Sequence, residues 1–216
     1  MPVYPMDIAG LHRELPICKV TDDLYIGAFI CFGDAELTVA CARDMLAMLE
    51  ADSYDYLFTA EAKSIPLIHE MARQSGAKKY FIARKGPKAY MPDPLHVEDK
   101  SITTAGVQKL YLGRDDADMI RGKRIVLMDD VISTGGSLHA MEELVKMAGG
   151  TVVDRIAVLA EGGTHGGRRG GLAGGNLQFD VTSYFLCHLK QHLLRKMWLE
   201  AEPVPGPSHV RGIRPP

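Results

Sequence analysis

The sequence predicts an α/β fold: a mainly parallel, twisted sheet flanked by helices. Three observations carry this expectation. Short β-prone runs alternate with segments of helical spacing, which is the pattern of βαβ units. The apolar run Arg124–Met128 ends on two adjacent carboxylates and a Ser-Thr-Gly-Gly-Ser turn that opens a helix. The 216 residues are 46% hydrophobic and 24% charged, enough apolar material for one sizeable core.

Along the chain, residues 1–23 carry Pro, Asp and His without clean periodicity and read as an extended segment or part of a cap. Asp34 stands at an N-cap position. Behind it Leu37, Ala40, Cys41, Met45, Met48 and Leu49 recur at helical spacing, so a helix is predicted over 34–50. Tyr54–Thr59 reads as a strand, Ser64–Gln74 as a helix closed by Gly76, and Lys79–Ala83 as the next strand. Residues 85–105 have no period and read as a long loop. Val107–Leu112 and Arg124–Met128 read as strands, and Ser137–Met147 as a helix that Gly149-Gly150 closes. Thr151–Leu159 is a further buried-looking strand, followed by the Gly-rich stretch 162–175. The expected organisation is a single domain over 1–200. Pro203, Pro205, Pro207, Pro215 and Pro216 mark 201–216 as a tail.

The net charge of −2 advertises neither nucleic acid nor a membrane surface as partner. Cys18, Cys31, Cys41 and Cys187 form no C-x-x-C pair. The first residues do not read as a secretory signal, and no apolar run approaches the ~18 residues of a span. The plain expectation is a cytoplasmic protein with reduced thiols.

The chemistry lies in Asp129-Asp130-Val131-Ile132-Ser133-Thr134-Gly135-Gly136-Ser137. A buried strand delivers two carboxylates toward its carboxyl end, where ligands bind in open α/β sheets. The glycines let backbone N–H groups converge at a helix N-terminus, which suits a phosphate. Ser133, Thr134 and Ser137 add hydroxyl donors. Ionised carboxylates one sugar length away suit vicinal hydroxyls. Rival motifs fail: no lysine follows Gly136 as a Walker loop requires, the glycines of 162–175 never fall as G-x-G-x-x-G, and neither H-E-x-x-H nor G-x-S-x-G occurs.

This run resembles the 5-phosphoribosyl-1-diphosphate (PRPP) signature of type I phosphoribosyltransferases, most like the adenine and xanthine enzymes. The resemblance implies that Asp129 and Asp130 orient the ribose as the catalytic pair, while Ser133, Thr134, Gly135, Gly136 and Ser137 bind the 5′-phosphate. Thr59–Ser64 resembles the diphosphate loop, with Lys63 at its basic position; Arg84, Lys85 and Lys88 resemble the second diphosphate cluster. A solvated surface is the plain alternative for these four cations. The resemblance also implies a small hood formed largely by 1–33 and part of 162–200; Phe29, Ile30 and Cys31 align with its base-binding segment, and residues 91–106 with a loop that closes over PRPP. That loop lacks the glutamate of adenine enzymes at Ser101–Thr104, and Ala160-Glu161-Gly162-Gly163 lacks the lysine of 6-oxopurine enzymes. The implied activity is Mg²⁺-dependent transfer of 5-phosphoribosyl to a purine, with Mg²⁺ held through PRPP and water rather than a protein cage. The resemblance further implies a homodimer. A PRPP-binding regulator without turnover, or transfer to a 6-oxopurine or pyrimidine, remain the alternatives.

Overall fold

The structure is a computed structural model and describes residues 2–19, 25–99, 108–132, 135–160 and 187–188. Its centre is a five-stranded sheet in the order β10-β9-β8-β4-β5, made of β4 (Tyr56–Ala60), β5 (Phe81–Ala83), β8 (Arg124–Ile132), β9 (Thr151–Ala160) and β10 (Cys187–His188). The four strands β5, β4, β8 and β9 run parallel, and β10 lies antiparallel on the β9 edge. The twofold period of a strand sends Ile125 and Leu127 of β8 into one apolar layer and Val126 and Met128 into the other, all fully buried. Such a run is apolar throughout because both sheet faces are covered. Each side chain of this size stabilises by about 1.5–3 kcal/mol on burial.

Helices α1 (Ala35–Ala47) and α2 (Ile65–Ser75) cover the Val126–Met128 face; α3 (Arg114–Ile120) and α4 (Gly136–Met147) cover the other. The predicted cap is present: the Asp34 carboxylate accepts from the Leu37 N–H at 2.9 Å. Helix α3 was not legible in advance. It has seven residues, no side-chain cap and only Ala117 and Ile120 buried, so its apolar period never completes a second repeat.

Two stretches read as irregular are ordered. The strands β1 (Val3–Ile8), β2 (Leu11–Lys19) and β3 (Tyr25–Gly27) form a three-stranded antiparallel sheet where the hood is expected. Within the long loop 85–105, β6 (Leu95–Asp99) pairs antiparallel with β7 (Gln108–Leu112). Of 91–106, residues 91–99 are described and carry β6, and 100–106 lie outside the described residues. Of 162–200, only β10 is described, and it extends the main sheet. The Gly-rich stretch and the tail 201–216 fall outside the described residues. Among the described residues no helix is long and apolar enough to cross a membrane.

Candidate active site

Strand β8 continues beyond the predicted Met128 through both aspartates to Ile132. Its side-chain alternation breaks there: Val131 packs with the layer of Met128 and Ile132 with the layer of Leu127. The neighbouring ladder from β4 stops at the pair Phe58–Leu127, so backbone groups of β8 beyond it need other partners. Two hydroxyls supply them. The Thr59 hydroxyl donates to the Met128 carbonyl at 2.8 Å, and the Ser64 hydroxyl accepts from the Asp130 N–H at 2.9 Å.

The aspartates face one cavity of about 370 Å³, floored by Asp129, Asp130 and Val131 and walled by Ile26–Ile30 of the hood. The turn Glu61–Ser64 closes one side, and Lys85, Leu110 and Ser137 contribute to the rim. A smaller hollow of about 100 Å³ adjoins it at the start of α4, bounded by Asp129, Gly135, Gly136 and Ser137. Gly135 is the N-cap residue of α4 with φ +81°, a left-handed conformation that a side chain would strain. The helix thus opens toward the hollow with its N–H groups and the Ser137 hydroxyl, a site suited to an anion. Ser133 and Thr134 lie outside the described residues.

Asp130 is 7% exposed, and its Oδ2 has no hydrogen-bond partner among the described residues. A buried carboxylate oxygen without a donor is costly, and Asp130 is among the residues that line the cavity. Asp129 is half-buried. Burial, and then the charge of Asp130, push its carboxyl up to about 7. Its Oδ1 accepts from the Ser64 hydroxyl at 2.8 Å and from the Asp130 N–H at 2.9 Å.

The four expected cations separate. Lys63 and Lys85 line the cavity and are exposed. Arg84 instead pairs with Glu61 at 3.2 Å, and the Lys85 N–H donates to the same carboxylate at 2.9 Å, so Glu61 ties the end of β5 to the β4–α2 turn. Arg84 and Lys88 are absent from the cavity lining. The hood residues also divide. Phe29 (3% exposed) and Ile30 (52% exposed) line the cavity, whereas Cys31 is buried behind it. The Cys31 thiol donates to the Lys63 carbonyl at 3.4 Å, and burial pushes it up to about 11. It is therefore a neutral packing group.

Sequence reasoning missed Glu61 and Ser64. Ser64 lies 65 residues before Asp129, so only the fold reveals their contact; the local signal, a serine ahead of Pro66 and an apolar stripe, reads as a helix cap.

A family model for the phosphoribosyl transferase domain matches residues 42–170. An adenine phosphoribosyltransferase of Mycobacterium avium is 42% identical over 85 residues, 39% of this chain and 44% of that protein. A hypoxanthine/guanine phosphoribosyltransferase of Methanotorris igneus is 28% identical over 121 residues, 56% of this chain and 62% of that protein. The chain thus spans less than two thirds of the length of these relatives. The solved structure of an adenine phosphoribosyltransferase from Thermoanaerobacter pseudethanolicus matches with a TM-score of 0.50 at 26% identity, covering 57% of this chain and 69% of that one. The family match takes in β4, α2, β8 and α4, the elements that build the aspartate floor, the lysine turn and the anion hollow, and with it the chain belongs to the phosphoribosyl transferase domain family.

Proposed function

We propose that the protein transfers the 5-phosphoribosyl group of PRPP to a purine base of adenine type, releasing diphosphate. The observation that carries this reading is the juxtaposition, at one cavity and the hollow adjoining it, of Asp130 with its unpartnered Oδ2, the open N-terminus of α4 and the Lys63 turn. Hydroxyls, a phosphate and a diphosphate call for those groups respectively. The adenine-type choice rests on the Mycobacterium avium relative. The Methanotorris igneus relative matches a longer stretch of the chain, which makes hypoxanthine or guanine the second reading.

In this mechanism a ring nitrogen of the base attacks C1 of the ribose. The new C–N bond forms as the C1–O bond breaks, its electron pair leaves with diphosphate, and the ring N–H proton of the base is released to water. Asp129 and Asp130 hold the ribose hydroxyls, with Asp130 Oδ2 gaining the donor it lacks. Gly135–Ser137, with Ser133 and Thr134, hold the 5′-phosphate against the helix N-terminus. Lys63 and Lys85 stabilise the negative charge that grows on the leaving group. Arg84 acts through Glu61, keeping the turn that carries Lys63 against β5, and Lys88 is left without an assigned part. Phe29 and Ile30 offer an apolar wall to the base. Fixing both reactants accounts for much of the acceleration.

The family resemblance implies that Mg²⁺ enters on the substrate, and the carboxylates of Asp129 and Asp130 lining the cavity suit a magnesium-bound sugar phosphate. When bound to the oxygens of PRPP and to water, Mg²⁺ neutralises leaving-group charge. A homodimer, which rests on the family resemblance, and a cytoplasmic location, which rests on the sequence reading of the thiols and the apolar runs, belong to the same proposal.

The test is a turnover assay with PRPP, Mg²⁺ and a panel of bases, the nucleotide product being identified by mass. Wild-type protein is expected to form product with adenine. Asp129→Asn combined with Asp130→Asn should lower turnover by at least ~10³-fold while the far-UV spectrum stays unchanged. Full activity in that double variant overturns the site assignment. Tight PRPP binding without product from any base points to the regulator.

A further inference from the structure

Ser64 occupies the N-cap of α2 but makes no capping bond. A serine there ordinarily accepts from a backbone N–H two or three residues on. Here the second helical residue is Pro66, which has no N–H to offer. The hydroxyl turns instead to the aspartates of β8. It donates to Asp129 Oδ1 at 2.8 Å and accepts from the Asp130 N–H at 2.9 Å, with Asp130 Oδ1 a further 3.3 Å contact. The hydroxyl has one proton, and the shorter contact assigns it to Asp129. Ser64 is 1% exposed, so water does not compete for these bonds.

Its place in the chain gives the contact a consequence. Ser64 directly follows Lys63, and the same turn is tied to β5 through Glu61 and to the hood through the Cys31 thiol. We propose that Ser64 is a positioning residue: its hydroxyl ties the turn that presents Lys63 to the aspartate pair, so that the groups facing diphosphate and those facing ribose keep one spacing. This rests on the phosphoribosyl-transfer reading. Without the hydroxyl, the Asp130 N–H loses its side-chain partner from α2 and the Asp129 carboxylate loses a donor.

The charged groups sharing the cavity with Asp129 are Asp130 beside it, Glu61 and Lys63 from the β4–α2 turn, and Lys85 after β5; the Cys31 thiol lies behind the hood, and α4 contributes the uncharged Ser137. Among these, the Ser64 bond favours the ionised form of Asp129, so its removal should move the titration upward.

Two readouts test the tie in Ser64→Ala. In the free protein, carbon NMR of labelled aspartate carboxyls should show the Asp129 midpoint raised by ~0.5 unit or more. In turnover, the KM for PRPP should rise ~10-fold or more while the KM for the base stays within about twofold. Ser64→Thr, which keeps the hydroxyl, should recover both. If the alanine variant does not fold, Ser64→Gly, acceptable at an N-cap, reads the same difference. An Asp129 midpoint equal to wild type, or base and PRPP constants that move together, overturns the inference. A wild-type protein that turns over no base defeats the functional reading alone, because the Asp129 titration still decides the Ser64 tie.

Discussion

Burial and the neighbouring charge of Asp130 hold the Asp129 carboxyl near pH 7, so its ionisation carries an energetic cost in the folded protein. The sign of the linkage follows. The folded state keeps this proton up to about pH 7, whereas the unfolded chain releases it near 4. Stability therefore falls as pH rises between those values, and the whole penalty is present above about 7. Asp129→Asn keeps an acceptor for the Ser64 hydroxyl and the Asp130 N–H but cannot ionise. At pH 8 this variant should melt above wild type by ~2–5 °C, with the gap closing by pH 4. Thermal melts across that range check it, and a gap that does not change with pH refutes it. The same residues mark the limit of legibility at this scale. Asp129, Asp130, Gly135 and Ser137 could be read because their chemistry is contiguous in the chain. Glu61 and Ser64 act on groups 24 and 65 residues away, a relation no local pattern encodes.

Elements were legible where period and punctuation agree. The strand before the aspartates, α1 behind its Asp34 cap and α2 up to Gly76 all combine an apolar period with a terminal signal. The hood strands lack that agreement, because Pro5 and Pro16 argue against sheet, yet Pro5 sits in an edge strand where its missing N–H leaves no ladder bond open. The end of α4 shows a subtler gap. Gly149-Gly150 was readable as a helix stop, but the reason for the second glycine lies in α3. A Cβ on Gly150 would stand 2.6 Å from Ile120 Cγ2 and 3.1 Å from the Ile120 carbonyl oxygen. The backbone oxygen cannot rotate away. Gly150→Ala should therefore destabilise by ~1–3 kcal/mol, a fall in melting midpoint of ~2–10 °C. Residue 150 precedes β9, at the opposite end from the aspartates, so PRPP affinity at 20 °C should be unchanged. A variant that weakens PRPP binding without lowering the midpoint contradicts this account.

At the scale of the molecule, the sheet separates two apolar layers, and only one of them reaches the hood. Ile8, Leu15, Phe29 and Cys31 pack into the layer that holds α1, α2, Val126 and Met128. Apolar burial secures the hood but does not fix its angle over the cavity, since such contacts are non-directional. A directional contact is supplied by Arg13. Its guanidinium donates to both oxygens of Asp34, at 2.7 and 3.2 Å, and to Glu36 at 2.8 Å. Asp34 meanwhile caps α1, and Arg13 followed by the Leu37 N–H holds its carboxyl below the usual carboxylate range. One side chain of β2 thus registers the hood against the start of α1, next to the segment that brings Phe29 and Ile30 to the cavity wall. The aspartate floor and the Lys63 turn have no part in that clamp. Arg13→Ala should consequently leave the KM for PRPP unchanged, raise the KM for the base by ~2–5-fold, the range of an exposed ion pair, and speed amide exchange across residues 3–19. Arg13→Lys should restore little, because a lysine cannot reproduce the two-pronged contact with Asp34. Unchanged exchange in the hood together with an unchanged base KM would show that Arg13 does not set its angle, whereas equal shifts in both constants would place the effect of Arg13 in the aspartate floor that the two substrates share.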